Sequence, residues 1–261
     1  MPSDRVIRGL NVPANVLVTG ASSGIGLAAV RQLLDNDRVG RVLALSRNAE
    51  GNADLTTLAS QHEHRLVAVS CDLTSDIDRV ALIARLAAAH VDTLHLLLNC
   101  AGVLHAPGLR PEKSLASLRM DALAQVFALN AFAPVLLVQS LLPLFRRGDP
   151  AVLASLSARV GSIGDNQLGG WYAYRASKAA QNQLFRTLAI ELRRTHPHAA
   201  CVLLHPGTVD TPLSQPFQTG VLPEKLFTPK RAARQLLDIV AGISAAESGR
   251  FYAWDGSEIP W

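Results

Sequence analysis

Cysteine is scarce in this chain: three residues in 261, Cys71, Cys100 and Cys201, each alone in an apolar run. That excludes a disulfide-stapled scaffold. No histidine stands beside them at ligand spacing, so no metal site is expected either. Aromatic residues are few at 5%, and charged residues make up only 18%. The net charge is +4, but the basic residues are scattered, with nothing longer than pairs such as Arg146–Arg147 and Arg193–Arg194. Nucleic-acid binding needs a clustered basic face, so no nucleic-acid partner is expected. A mild positive excess suits an anionic small molecule instead. No apolar run reaches the roughly 20 residues that span a bilayer. The opening "MPSDRVIRGLNVPAN" lacks the apolar stretch of a signal peptide. Together with thiols that read as buried and reduced, these absences give the expectation of a cytoplasmic protein without membrane association.

What is abundant is apolar sequence, 49% of the chain, enough for one large α/β domain. Short runs that are apolar on successive residues recur at 15–19, 41–46, 65–71, 93–99, 151–157, 200–205 and 250–254. Strands buried on both faces have that pattern. Between them lie helical patterns at about 24–35, 53–61, 76–89, 115–146, 171–195 and 229–242. Such alternation implies right-handed βαβ crossovers. The expected fold is α/β: a single doubly wound, Rossmann-type domain over 1–261 with a central parallel sheet of about seven strands. Proline and glycine cluster at 104–111, 161–170 and 206–223, and the segment 210–226 is expected to be a substrate loop.

The first strand runs into "TGASSGIG", Thr19 to Gly26, and then into a helix. Gly20, Gly24 and Gly26 permit a tight turn and a close approach of backbone N–H groups to a pyrophosphate, and Ser22, Ser23 and Ile25 complete the loop. The helix N-terminus adds a favourable dipole. The second strand ends "ALSRN". An NAD site places a carboxylate here for the ribose hydroxyl; this chain offers Ser46, Arg47 and Asn48 instead. Arginine can pair with a 2′-phosphate, so NADP(H) is favoured as cofactor. The third strand ends "SCDLT", where Asp72, followed by Leu73, can accept from an adenine amino group or cap the next helix, although Thr74 or Ser75 fits a cap better. The fourth ends "NCAG": Ala101 and Gly102 leave room for a ribose or adenine, and Asn99 can tie strands together.

In "WYAYRASKAA", Tyr174 and Lys178 are four apart and share a helix face; Tyr172 and Lys178 are six apart and do not. An ammonium beside a phenol lowers the phenol pKa from about 10 toward neutrality, so Tyr174 is the candidate acid/base. Ser157 closes the fifth strand, where a hydroxyl can reach a substrate carbonyl. Trp171, Tyr172, Phe217 and Trp254 are either core or the wall of an apolar pocket.

Taken together, "TGASSGIG", "NCAG", "YRASK" and "HPGTVDT" resemble the short-chain dehydrogenases/reductases, from about Val16 to the C-terminus. The stretches "LSARVGSIGDNQLGGWYAYRASKAA" and "GRFYAWDGSEIPW" are similar to the C-factor and sniffer-type carbonyl reductases. The resemblance implies an NADP(H)-dependent oxidoreductase interconverting a small-molecule carbonyl and alcohol. By it, Tyr174 transfers the proton, and Lys178 tunes Tyr174 and holds the ribose hydroxyls. Asn130 in "FALNAFA" holds a water linking Lys178 to solvent. Also by resemblance, "HPGTVDT", with Pro206 and Gly207, closes over the nicotinamide, and Val209 and Thr211 meet its carboxamide. The family ends its fifth strand with two serines, the second acting on substrate. Here Ser157 takes the first position and Ala158 the second, so Ser157 or Ser162 supplies the hydroxyl, or none does. The family pairs the helices at 115–146 and 171–195 between subunits, which implies a homodimer or homotetramer. A dinucleotide-binding sensor or signalling protein with weak or no catalysis is the alternative.

Overall fold

A computed structural model of the chain describes residues 5–261. The first four residues of the expected 1–261 span, and of the opening stretch read above as lacking a signal peptide, lie outside the described residues. The strands are β1 (Ala14–Thr19), β2 (Val39–Ser46), β3 (Leu66–Ser70), β4 (Leu96–Asn99), β5 (Ala151–Leu156), β6 (Ala199–His205), β7 (Thr208–Val209), β8 (Leu226–Phe227) and β9 (Phe251–Ala253). The helices are α1 (Gly24–Leu34), α2 (Ala53–Gln61), α3 (Asp76–Ala88), α4 (Met120–Phe127), α5 (Ala133–Leu141), α6 (Tyr172–Thr195) and α7 (Pro229–Gly242). Seven strands form one sheet in the order β3-β2-β1-β4-β5-β6-β9, and every pairing within it is parallel.

Successive apolar residues in the strands serve opposite faces, as the two-residue period of a strand requires. Val16 and Val18 join Val30, Leu236 and Val240 on one side. Leu17 joins Leu97, Leu137, Phe185 and Leu188 on the other. Because the strand order reverses between β1 and β4, the chain leaves these two strands in opposite directions. Open α/β sheets take ligands at such a switch point, at the C-terminal ends of the strands. The loops after β1, β2, β4, β5 and β6 all emerge at that edge.

Two expectations change. The helix at 115–146 is not uniform: α4 passes into a π-helical segment, Ala128–Phe132, before α5, with 3₁₀ turns at Leu115–Ser117 and Leu142–Leu144. Pro134 has no N–H to return to the carbonyl of Asn130 four residues earlier, and the helix widens there. The same stretch corrects the reading of apolar runs. Met120–Leu144 is 25 residues long and holds an 18-residue window of mean hydropathy 1.8, long and apolar enough by length and composition to cross a membrane. Gln125, Asn130, Gln139 and Ser140 interrupt it, which hides it from a count of consecutive apolar residues. In the fold its Leu137, Val138 and Leu141 pack on the sheet. The second change is in 206–223, which is not simply loop: β7 pairs in parallel with β8.

Candidate active site

The turn after β1 is shaped by its glycines. Gly20 (φ 62°) and Gly24 (φ 53°) take left-handed backbone. A Cβ on Gly26 would collide with the Gly20 carbonyl. Ser23 precedes α1 in extended backbone and makes no side-chain cap bond, and Asn52 Nδ2 steadies the turn through Ser22 O at 3.3 Å. Glycine lets this turn close tightly on the start of α1, the arrangement whose helix N-terminal N–H groups suit a phosphate. Beside it, Ser46 Oγ is buried without a hydrogen-bond partner, and Arg47 and Asn48 are exposed. An orphaned hydroxyl next to an exposed guanidinium, with no carboxylate at the end of β2 itself, fits a phosphorylated ribose better than a bare diol.

Asp72 Oδ1 accepts from Thr74 N at 2.8 Å and Thr74 Oγ1 at 2.7 Å, and these bonds hold its carboxyl below the usual range. The helix cap is Ser75, whose Oγ accepts from Asp78 N at 3.2 Å. Leu73 is buried. Asn99 does tie strands: its Oδ1 accepts from Thr19 Oγ1 of β1 at 2.6 Å and its Nδ2 donates to Ser155 Oγ of β5 at 2.7 Å. Gly20 approaches Cys100 and Ala101 so closely that a Cβ would lie 3.0 Å from Ala101 N.

Tyr174 is 9% exposed and Tyr172 is 40% exposed. The tyrosine that shares a helix face with Lys178 is therefore the buried one. Lys178 Nζ lies 5.8 Å from the centroid of the Tyr174 ring. The electrostatics run opposite to the expectation. In the protein alone, burial pushes the Tyr174 phenol up to about 12 and the Lys178 ammonium down to about 7. Both shifts disfavour charge in a desolvated site. Lys178 Nζ donates to Leu156 O at 2.8 Å and Gln181 Oε1 at 2.9 Å. Asn130 sits on the π segment, fully buried, with Oδ1 accepting from Val103 N and Nδ2 donating to Val103 O, both at 2.8 Å. A Cβ on Gly102 would meet Asn130 Oδ1 at 3.3 Å and Lys178 Nζ at 3.7 Å. Gly102, Asn130 and Lys178 thus border one space.

The segment after β6 reaches back over the glycine turn: a Cβ on Gly24 would meet the Thr211 methyl at 3.0 Å. Gly207 (φ 77°) leaves room for the Phe227 ring, and Val209 packs with Phe227 and Ile25. Phe217 meets Trp171 edge-on at 5.0 Å, and Trp171 meets Tyr174 at 6.2 Å. Trp171 and Phe217 therefore form a wall beside the phenol. Trp254 packs against Phe227 instead.

The short chain dehydrogenase family model matches residues 14–221. This chain belongs to the short-chain dehydrogenase family. It is similar to the C-signal protein of Myxococcus xanthus, 36% identical over 140 residues, covering 53% of this chain and 78% of that one. In structure it is similar to an NADPH-bound carbonyl reductase from chicken fatty liver, TM-score 0.84 with 30% identity over 97% of both chains. It is also similar to the carbonyl reductase Sniffer of D. melanogaster, TM-score 0.83 with 25% identity over 96% of this chain and 100% of that one. As a family member the chain is an oxidoreductase.

After β5 the chain carries Ser157 followed by Ala158. Ser157 Oγ donates to Asn182 Oδ1 at 2.6 Å, and Asn182 lies two helical turns beyond Tyr174. Ser162 is buried and its Oγ accepts from Asp165 N at 3.2 Å. Both hydroxyls therefore already have partners in the scaffold. Two residues went unnoticed in the sequence. Gln181 touches Lys178, and its i+3 spacing from the lysine was a usable signal. Glu112 holds the start of α6: its backbone O accepts from Trp171 N at 2.5 Å and its Oε2 from Ala173 N at 3.1 Å. Nothing local in "RPEKS" announces a contact sixty residues away.

Proposed function

We propose that this chain is an NADP(H)-dependent reductase of a small-molecule carbonyl, working reversibly on the alcohol, with Tyr174 as its acid/base. The observation that carries the reading is the convergence at one sheet edge of the glycine turn, the orphaned Ser46 hydroxyl with Arg47, and the buried Tyr174–Lys178 pair. Gly20, Ser22, Ser23, Gly24, Ile25 and Gly26 cradle the pyrophosphate, and Ser46, Arg47 and Asn48 take the phosphorylated ribose. Asp72, Leu73, Asn99, Ala101 and Gly102 border the adenosine half. Pro206, Gly207, Val209 and Thr211 close over the other end. When bound, the dinucleotide brings the hydride.

The chain's own work is proton handling. A phenol pushed up to about 12 keeps its proton at physiological pH and gives it up only to a strongly basic, nascent alkoxide. Lys178 stands ready to stabilise the phenolate that remains, and Asn130 borders the path by which Tyr174 is reprotonated. Trp171 and Phe217 exclude water on the substrate side, and 210–226 is the substrate loop of a domain spanning the chain. We place the protein in the cytoplasm as a homodimer or homotetramer. One observation favours a second reading, dinucleotide binding without turnover: no free hydroxyl stands at Ala158 and Ser157 is already bound.

The test is NADPH oxidation with a panel of aldehydes, ketones and quinones, alongside direct NADPH and NADH binding. Turnover is expected and Y174F should abolish it. Arg47→Ala should weaken NADPH far more than NADH. Wild-type turnover in Y174F would overturn the acid/base assignment, and equal loss of both nucleotides would overturn the phosphate site. Tight NADPH binding with no turnover across the panel would establish the second reading.

A further inference from the structure

Four polar side chains, Thr19, Asn99, Ser155 and Gln181, are each fully buried. They form one line across the sheet. Ala101 N donates to Thr19 Oγ1 at 3.1 Å, and Thr19 Oγ1 donates to Asn99 Oδ1 at 2.6 Å. Asn99 Nδ2 donates to Ser155 Oγ at 2.7 Å, and Gln181 Nε2 donates to the same oxygen at 2.6 Å. Gln181 Oε1 then accepts from Lys178 Nζ at 2.9 Å. Lys178 sets the direction of Gln181: an ammonium only donates, so Gln181 Oε1 faces Lys178 and its Nε2 faces Ser155 Oγ. Turning the Gln181 amide over would set an NH₂ against an ammonium.

Burying four polar side chains is costly unless every member is satisfied. A leucine at position 181 would serve packing alone with none of that demand. What this line supplies that a leucine cannot is a fixed acceptor at the sheet edge. We propose that Gln181 is a positioning residue for Lys178, anchoring the ammonium to β1, β4 and β5 through Ser155, Asn99 and Thr19. With Leu156 O as the second acceptor, two of the three ammonium donors are spoken for and one is left for a ligand. The inference deepens the proposed function, since it rests on Lys178 serving Tyr174.

The groups facing Lys178 are few. Tyr174 comes from α6 itself, and Cys100, just after β4, is a thiol that burial pushes up to about 12, so it carries no charge where Lys178 titrates. Gly102 and Asn130 bring no charge. Arg159, in the turn after β5, is directed to Asp165 at 2.8 Å. The acceptor oxygen of Gln181 is therefore a main support for the charged lysine in a site whose burial works against it.

The chain has only four lysines, Lys113, Lys178, Lys225 and Lys230, so lysine-selective ¹⁵N NMR of the protein without nucleotide reads Lys178 directly. Q181L should move the Lys178 titration down by about one unit, and Q181E, which keeps an acceptor and adds charge, should move it up by about as much. In alcohol oxidation, where Tyr174 acts as base, the Q181L pH profile should shift to alkaline pH. The KM for nucleotide should rise severalfold as well. If Q181L does not fold, Q181M carries the same expectation. A Lys178 titration that matches wild type in the leucine or methionine variant overturns the proposal. Wild-type turnover in both Y174F and K178M would instead overturn the underlying reading of the site.

Discussion

At the scale of single residues, the site holds groups against their ordinary chemistry. Lys178 is 3% exposed and its ammonium is pushed down to about 7 from 10.5. Between those two values the unfolded chain carries a proton that the folded chain has released. Stability should therefore rise as pH is raised from about 7 toward 10. Tyr174 has the reverse sign: its phenol, pushed up to about 12, begins to subtract stability once pH passes 10. Lys178→Met should thus be more stable than wild type at pH 7 and should lack the rise. The gain is about 3 kcal/mol, an uncharging benefit of roughly 4 less about 1 for Gln181 Oε1, which loses its donor, while Leu156 O keeps Gln181 Nε2 at 3.3 Å. Urea unfolding at pH 7 and pH 9 reads this. A less stable variant, or parallel pH curves, would refute it. Ser157 poses a different question, because its one proton is already donated to Asn182. Ser157→Ala should lower the melting temperature and reduce kcat by less than tenfold. A loss of roughly 10²–10³ with unchanged melting temperature would give the hydroxyl to the substrate instead.

Elements decide whether those residues meet. Tyr174 lies in the first turn of α6, a 24-residue helix whose preceding residue, Trp171, is left-handed (φ 51°) and makes no side-chain cap bond. The cap comes from Glu112, which takes the N–H groups of Trp171 and Ala173 from outside and sets a carboxylate at the positive end of the helix. Glu112→Ala should cost about 1–3 kcal/mol by leaving a buried N–H unpaired, and should lower kcat because the turn carrying Tyr174 loosens. Glu112→Gln keeps an acceptor and should retain most of both. Unfolding free energies and kcat measured on the two variants decide it; equal losses would show that the charge, not the hydrogen bond, holds the helix. The sequence made Tyr174 and Lys178 legible because helical spacing is local information. It made the glycine turn legible because only glycine allows that backbone. Glu112 and the Gln181 line were not legible, since each depends on pairing across distant segments. The charge states of Tyr174 and Lys178 were misread for a related reason: spacing reports proximity, while burial, which governs both shifts, is a property of the assembled fold.

For the whole molecule, alternation of doubly buried strands with helices was enough to anticipate the parallel sheet, but not its order. Order depends on which face each crossover covers, and the reversal at β1 and β4 is what gathers the site. The same architecture leaves apolar surface on the helices of one face. Phe132, at the end of the π segment, is 49% exposed, and Ile190 on α6 is 55% exposed. Large apolar side chains exposed on the π segment and on α6 are what a subunit interface needs. The wild-type protein should therefore run in light scattering at two or four times its 27.9 kDa chain mass. Introducing charge with Phe132→Glu and Ile190→Glu together should shift it toward 27.9 kDa without unfolding, since neither side chain is buried within the subunit. Because α4, the π segment and α6 also carry the Asn130–Lys178 neighbourhood, the dissociated variant should lose kcat along with its partner. A wild-type protein already at 27.9 kDa would refute the assembly, and an active monomeric variant would separate the interface from the site.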